Sequence, residues 1–188
     1  IDGSRTNKKS GGSWIISLKD GTVIVSGWNP DFGQIDIINS YHSEIYASLA
    51  CLTFLEWYCD YFHLQLLNPI EAYCDNKSYV TKYNELQSNA YSKLFIHKLK
   101  EHEAYLALLT IIPANFHLYH VKGHQDESKK WEDLTTPERL NVKSDLIATK
   151  NARSSLNIPI PSVPLAIYIQ EKYIHLNFQQ RIRETCSE

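Results

Sequence analysis

Apolar and polar residues alternate near the start of the chain in the manner of β-strands. Two such runs lie at residues 13–18 and 22–28, and the Asp-Gly dipeptide at 20–21 favours a tight hairpin turn because both residues tolerate positive φ. A further strand is expected at 1–5, before a polar, glycine-bearing turn at 7–12. The pattern therefore predicts three antiparallel strands.

The hydrophobic period then lengthens to between three and four residues. Ile45, Leu49 and Leu52 recur at helical spacing, which predicts a helix from Ser43, its expected N-cap, to about Phe62. The apolar run IEAYC that follows an Asn-Pro dipeptide predicts a short buried strand at 70–74, where Asp75 ends the run.

The second half of the chain repeats this alternation. Helices are predicted at 76–86 and 93–109, a core strand at 116–121, and a last helix that Pro137 opens and that carries Asp145. The order β-β-β-α-β-α-α-β-α predicts an α/β fold, with a mixed sheet flanked by helices.

The pattern of residues changes after Ser154, and this change marks the end of the domain. Residues 157–164 (NIPIPSVP) form a proline-punctuated linker, and a β-hairpin and a short helix are expected after it. We therefore divide the chain into a domain at 1–153 and a C-terminal hairpin and helix extension at 154–188.

The composition of the 188 residues is that of an ordinary folded protein, with 43% hydrophobic and 21% charged residues. No apolar run approaches the ~18 residues that predict a transmembrane helix, so no membrane partner is expected. The formal net charge of −2 argues against tight autonomous binding of nucleic acid. The four cysteines form no CxxC pair, which favours buried free thiols and an intracellular location, in cytoplasm or nucleus.

Four carboxylates on four separate elements stand beside apolar segments: Asp2, Glu44, Asp75 and Asp145. Each has a simpler explanation alone: Glu44 favours a helix N-terminus, Asp75 could cap a helix, and Asp2 could form a turn. Together, carboxylates that converge on a core edge repel each other unless a cation neutralises them. Oxygen ligands suit Mg²⁺, and two such ions roughly 3.5–4 Å apart form the clamp of phosphodiester-cleaving enzymes.

Four motifs resemble the RNase H family, type 1, over about residues 1–153. They are IDGS at the start, HSEIYASLACL in the first long helix, YCDNKSYV after the buried strand, and HVKGHQD followed by NVKSDLIA. The forms GHQD and LNVKSDLIA resemble the RNase H domains of retrotransposon polyproteins. The resemblance implies an RNase H-like fold with a five-stranded mixed sheet. A covalently linked reverse transcriptase domain would then be the partner in a longer protein, and the isolated domain is expected to be a monomer.

The resemblance also implies an activity: a ribonuclease H that cuts the RNA strand of RNA–DNA hybrids by two-metal-ion catalysis and leaves 5′-phosphate ends. The metal ligands would be Asp2, Glu44, Asp75 and Asp145, holding two Mg²⁺ ions for which Mn²⁺ can substitute. His124 would assist proton movement or product departure. The residues near the hybrid would be Gly3, Ser4, Asn76 and Lys122.

The sequence departs from the family's pattern at several points. His124 and Asp145 are 21 positions apart, a longer loop than in cellular enzymes, and Ser40-Tyr41-His42 replaces paired asparagines before the helix glutamate. One additional residue follows Asp75, and no tryptophan-rich basic helix is recognisable between residues 84 and 93.

Other classes of protein with the same fold fit this sequence less well. Integrases and transposases place their glutamate last among the acids, whereas Glu44 lies between Asp2 and Asp75 here, and proofreading exonucleases begin with D-x-E. A catalytically inactive RNase H-like tether or nucleic-acid-binding module remains the alternative, since a fold does not fix a function.

Overall fold

The computed structural model describes most of the first 154 residues of the chain. The described residues are 1–6, 9–30, 40–66, 68–88, 96, 99, 101–113 and 115–154. The predicted linker, hairpin and helix of the C-terminal extension lie outside them.

Five strands, four helices and two short 3₁₀ turns make up the described chain. In order they are β1 (Asp2–Thr6), β2 (Lys9–Ser17), β3 (Val23–Pro30), α1 (Ser40–Phe62), β4 (Ile70–Cys74), α2 (Lys77–Gln87), α3 (His102–Ile111), β5 (Phe116–His120), the turns Gln125–Glu127 and Trp131–Asp133, and α4 (Thr136–Ser154). This is the predicted α/β order. No helix in the described part of the chain is both long and apolar enough to cross a bilayer.

The first three strands form the predicted antiparallel sheet, in the order β1-β2-β3. The Asp-Gly turn is present between β2 and β3, where Gly21 takes a φ of 87° and Leu18 N donates to Thr22 O at 2.9 Å. The expected turn at 7–12 is too long, because Lys9 to Gly12 already pair with β1 and belong to β2.

The remaining two strands, β4 and β5, run parallel, with Ile70 opposite Phe116 and Cys74 opposite His120. They form a separate two-stranded sheet, so the described strands are not joined into the expected single five-stranded sheet. A hydrogen bond of 3.0 Å from the Ile1 amino group to the Tyr73 carbonyl joins β1 to β4 at their ends. The described strands are therefore mixed in direction but divided into two sheets.

Helix α1 begins at Ser40, three residues before the predicted start, so Ser43 is an interior residue rather than the N-cap. Ser43 is fully buried, and a Cβ on Gly3 would lie 2.6 Å from its Cβ. A Cβ on Gly12 would lie 2.5 Å from that of Ala47. The two paired glycines therefore let α1 press against β1 and β2, which fixes the position of Glu44.

Helix α4 packs on β1 and β2 through small polar residues. Ser13 Oγ donates to Ser144 O at 2.6 Å, and both serines are fully buried. Since successive side chains of a strand point to opposite faces, Gly12 toward α1 and Ser13 toward α4 place the two helices on opposite faces of this sheet. Asp2 pairs with Ser13 and so lies on the α4 side.

The apolar core lies between α1, α2, α3 and the parallel strands. Its largest fully buried members are Tyr79, Tyr83, Tyr105, Ile45 and Leu108. Burial of such side chains, at about 25 cal/mol per Å² of apolar surface, is the main force that holds α1 against α2 and α3.

Of the helix predicted at 93–109, the described residues show Ile96 in helical conformation and then a helix from His102 to Ile111. Before it, Leu99 N donates to Ile96 O and His102 N to Leu99 O, which are turn bonds across three residues. Glu101 is buried here and accepts a 2.8 Å hydrogen bond from His42 Nδ1 of α1. This long-range pairing holds a turn where the local pattern favours a continuous helix.

Candidate metal centre

The predicted acids occupy one region, where the start of β1, the second turn of α1, the carboxyl end of β4 and the middle of α4 meet. Glu44 lies in the second turn of α1 rather than in its first, because the helix starts early. The carboxyl end of a parallel strand is the usual place for ligands in α/β sheets, and Asp75 follows β4 there. Asp2 and Glu44 are buried, and Asp75 and Asp145 are partly buried.

Three potential metal-ligand atoms lie within 4.8 Å of one another, on Glu44, Cys74 and Asp75. The Cys74 thiol donates to Glu44 Oε2 at 2.5 Å, and Asn76 Nδ2 donates to Glu44 Oε1 at 3.3 Å. Both oxygens of Glu44 are thus held in place by residues of β4 and the turn that follows it.

Asp2 is the acid whose ionised form is most disfavoured by its surroundings. Its side chain is 4% exposed, and Oδ2 has no hydrogen-bond partner in the described part of the chain. Burial raises the pKa of Asp2 from 3.8 to about 8, with further contributions from the negative charges of Asp75, Asp145 and Glu44. Asp2 is therefore close enough to each of the other three acids to be affected by its charge.

The pKa values of Glu44 and Asp75 are also raised. Burial raises the pKa of Glu44 from 4.5 to about 7, and the charge of Asp75 adds to this, although the Cys74 hydrogen bond opposes it. Burial also raises the pKa of Asp75, and the charge of Asp145 adds to that rise. Without a cation, the site favours protonated carboxyl groups.

Asp145 joins the region from the α4 side of the sheet. Thr149 Oγ1 donates to Asp145 Oδ1 at 3.3 Å, and the Thr149 hydroxyl also shares a 3.2 Å hydrogen bond with Ser4 Oγ. The compact group of ligand atoms found among the described residues contains neither Asp145 nor Asp2. The acids therefore divide into a tight pair, Glu44 and Asp75, and two that lie further out.

His124 lies on the exposed loop between β5 and α4. Its backbone is left-handed, with φ 52° and ψ 36°, and its side chain is 67% exposed. Its charge lowers the pKa of Asp75, and Nδ1 is 4.0 Å from Glu127 Oε1. The structure thus places His124 on the Asp75 side of the region, facing solvent.

The long loop that carries His124 is fastened to α4. Lys129 Nζ donates to Glu138 Oε1 at 2.6 Å, and the Thr135 backbone N–H donates to Glu138 Oε2 at 2.7 Å. Thr135 and Glu138 thereby form a capping box at the start of α4, and the hydrogen bonds from Lys129 and Thr135 lower the pKa of Glu138 to about 2. The additional loop length is therefore ordered by local hydrogen bonds.

The four residues expected near the hybrid have different surroundings. Gly3 has no room for a side chain, since a Cβ would lie 2.9 Å from Glu44 Cγ. Asn76, rather than Asp75, caps α2 by accepting from Tyr79 N at 3.2 Å, and Ser4 bonds to Thr149. Lys122 is exposed.

Sequence reasoning misses two residues of the site. It identifies Cys74 only as a buried free thiol, which it is, but this thiol also contacts Glu44. It gives no role to Gly123, although a Cβ there would lie 2.5 Å from Asp75 Oδ2. The sequence signal that could have identified them is their position: Cys74 directly precedes Asp75, and Gly123 directly precedes His124.

The donor set fits a hard divalent cation. A buried carboxylate oxygen without a hydrogen-bond partner, in a side chain whose pKa is raised by burial and by the charges of the other three acids, is an unfavourable arrangement that a bound cation would neutralise. In the described part of the chain, no lysine, arginine or histidine forms an ion pair with any of the four acids. Asp2, Glu44, Asp75 and Asp145 are therefore available to hold metal.

Comparison with known proteins gives a likeness in structure and none in sequence. No protein-family model matches the chain, and no curated protein sequence matches it significantly. Among solved structures, 81% of this chain overlays 93% of the LC11 ribonuclease H1 crystallised with an RNA/DNA hybrid, at 14% identity and a TM-score of 0.55. Similarly, 82% of the chain overlays 95% of ribonuclease H1 from the halophilic archaeon Halobacterium salinarum, at 16% identity and a TM-score of 0.50. The chain therefore has the fold of these two ribonucleases H1.

Proposed function

We propose that this protein is a type 1 ribonuclease H that hydrolyses the RNA strand of RNA–DNA hybrids with the help of two divalent metal ions. The observation that carries the proposal is the partnerless, 4%-exposed carboxylate of Asp2, which shares one region of the fold with Glu44, Asp75 and Asp145. The shared fold of two ribonucleases H1 supports it.

In this proposal Asp2, Glu44, Asp75 and Asp145 hold the metal, with Mg²⁺ as the natural ion and Mn²⁺ as a substitute. When bound, the ions would neutralise charge at the scissile phosphate and help to activate the attacking water. Because three of these acids have raised pKa values, they bind protons more readily than free carboxylates and must release them when metal binds.

Two other residues act around this centre. His124 is exposed on its loop, on the side of Asp75, so its ring can reach a proton or a departing product without first being released from a buried contact. Lys122 is exposed two residues before it and is proposed to contact a phosphate. The Ser4 hydroxyl and the Gly3 backbone are proposed to lie at the minor groove, where 2′-hydroxyls distinguish RNA.

The decisive experiment is a gel assay with an end-labelled RNA strand in an RNA–DNA duplex, with and without Mg²⁺. We expect the RNA to be cut only in the hybrid and only with metal, leaving 5′-phosphate ends. Asp75→Asn should abolish cleavage and keep the fold, while Asp60→Asn, on the exposed side of α1, is the matched control and should cut normally.

Each failure has a separate meaning. Cleavage by Asp75→Asn would refute the assignment of the metal centre. Binding of the hybrid without cleavage, at any Mg²⁺ or Mn²⁺ concentration, would instead identify an inactive tether or binding module.

We further propose that the domain acts inside the cell as part of a retroelement polyprotein, next to a reverse transcriptase. The motifs GHQD and LNVKSDLIA support this context. The source transcript should then encode a reverse transcriptase in the same reading frame, and its sequencing tests this point.

A further inference from the structure

We infer that Cys74 makes this centre a binding site for a thiophilic divalent cation of the Zn²⁺ or Cd²⁺ class, which competes with the magnesium of the proposed nuclease. The inference deepens the proposed function and rests on it for the identity of the competing ion. It assigns a role to a thiol that hydrolysis does not use.

The first observation is the position of the thiol. Sγ of Cys74 is one of the three ligand atoms that lie within 4.8 Å of each other, with a carboxylate oxygen of Glu44 and one of Asp75. In a zinc site with one sulfur and two oxygen ligands, the donors stand roughly 3.5 Å apart, given metal–ligand distances of about 2.0–2.3 Å. The cluster needs only small adjustments to reach that geometry.

The second observation concerns Asp2 and does not involve the thiol. Its Oδ2 atom is buried without a hydrogen-bond partner among the described residues, in a side chain that is 4% exposed and that experiences the charges of Asp75 and Glu44. A partnerless buried carboxylate beside the cluster indicates that a cation belongs there. Asp2 lies outside the compact group of ligand atoms, so it supports a cation at this cluster through its negative charge.

Ligand chemistry then separates two classes of cation. Mg²⁺ requires oxygen ligands and leaves the Cys74 thiol in its hydrogen bond to Glu44. Zn²⁺ and Cd²⁺ bind thiolate sulfur strongly. In that event the Cys74 S–H bond breaks, the proton passes to solvent, and the sulfur–metal bond takes its place with no change of oxidation state.

Both cations need Glu44 and Asp75, so they cannot occupy the centre together. A thiophilic ion would therefore hold the acids in an arrangement unsuited to the hybrid, and would inhibit magnesium-dependent cleavage. The chain has three other cysteines, at 51, 59 and 186, so the test must separate their contributions from that of Cys74.

The test is a Cd²⁺ titration of the full chain carrying Cys51→Ser, Cys59→Ser and Cys186→Ser, which leaves Cys74 as its one cysteine. We expect the ultraviolet charge-transfer band of a cadmium–thiolate bond to appear at one equivalent. Adding Cys74→Ser should remove the band and weaken Cd²⁺ binding by more than about tenfold, since even an outer-shell partner of a metal ligand contributes about 10- to 100-fold. Serine keeps a hydroxyl donor for Glu44, so the fold should survive.

Two further measurements keep the outcome decisive. If the multiple variant fails to fold, cadmium NMR of the wild type compared with Cys74→Ser alone reports whether sulfur is a ligand. Added Mg²⁺ should weaken apparent Cd²⁺ binding in proportion to its concentration. The absence of a thiolate signal, its persistence in Cys74→Ser, or indifference to Mg²⁺ would each overturn the inference. None of these readouts requires cleavage, so a failed nuclease assay and a failed cadmium titration are distinguishable.

Discussion

Replacing Asp2 by asparagine should make the metal-free protein more stable at neutral pH while it removes the proposed activity. The folded protein holds Asp2 with a pKa of about 8, against 3.8 for an unperturbed side chain. Because the folded value is the raised one, the folded state keeps a proton that the unfolded state has lost between these two pH values. The stability that this proton gives is complete below about pH 4 and is lost as the pH rises toward 8.

The magnitude follows from this difference in proton binding. Each pH unit between the two pKa values costs the wild type about 1.4 kcal/mol relative to a side chain that does not titrate. From about pH 4 to pH 7 the cost grows to about 4 kcal/mol, a large part of the stability of a domain of this size. The asparagine side chain of the variant has nearly the same shape as that of Asp2 and carries no charge, so the variant avoids this cost.

Urea unfolding followed by tryptophan fluorescence measures the effect, since Trp14 is buried. The free energy of unfolding of Asp2→Asn minus that of the wild type, in a chelating buffer, should rise from about pH 4.5 to about pH 7.5. Asp60→Asn, an exposed control, should show a flat difference. Millimolar Mg²⁺ should stabilise the wild type more than Asp2→Asn at the upper end of this range. A flat difference for Asp2→Asn would refute the view that this carboxyl is a buried member of an acidic cluster.

Three further predictions concern the surroundings of the centre. In Gly123→Ala the new Cβ would lie 2.5 Å from Asp75 Oδ2, so it should displace the Asp75 carboxylate and weaken the activation of cleavage by Mg²⁺. The control Gly21→Ala, at a φ of 87°, should lower the free energy of unfolding by about 1 kcal/mol in thermal unfolding and leave activity intact. His124→Asn, chosen because asparagine tolerates the left-handed backbone, should slow turnover by roughly 10²-fold but keep more activity than Asp75→Asn; an unchanged rate would remove His124 from the reaction. Hybrid binding should be weak and strongly salt-dependent in filter-binding assays, because the chain is slightly acidic, and nanomolar affinity at physiological salt would contradict this.

The local pattern of the sequence predicts the elements of the fold well. The Asp-Gly hairpin, the apolar face of α1 and the strand IEAYC all follow from short-range periodicity and turn chemistry, and the structure confirms these elements. The strand is less buried than predicted, since only Cys74 in it is fully buried. The errors arise where a distant residue decides the backbone. The helix predicted at 93–109 is interrupted by turn bonds between Ile96 and His102, next to Glu101, whose partner His42 is 59 positions away.

The site is harder to predict than the fold for a similar reason. The sequence indicates which acids stand beside apolar segments, but the distance of each from the others depends on how α1 and α4 close on the sheet. The approach of the helices depends on the small size of Gly3, Gly12 and Ser13. The sequence alone does not show which helix residues pack against these three positions. The contact of Cys74 with Glu44, 30 positions apart, does not follow from spacing either.

The same small residues explain why the acids are buried at all. Gly3 and Gly12 bring α1 close to the sheet, and Ser13 and Ser144 bring α4 close to its other face. Between these contacts Asp2 and Glu44 lose most of their exposure to water. Close packing stabilises the domain, but burial raises the pKa of Asp2 and of Glu44 and makes their ionisation costly. A bound cation would reverse that cost at the place where the packing imposes it. On this reasoning, the tightness of the fold around Asp2 is what would couple the stability of the domain to the metal that its proposed activity requires.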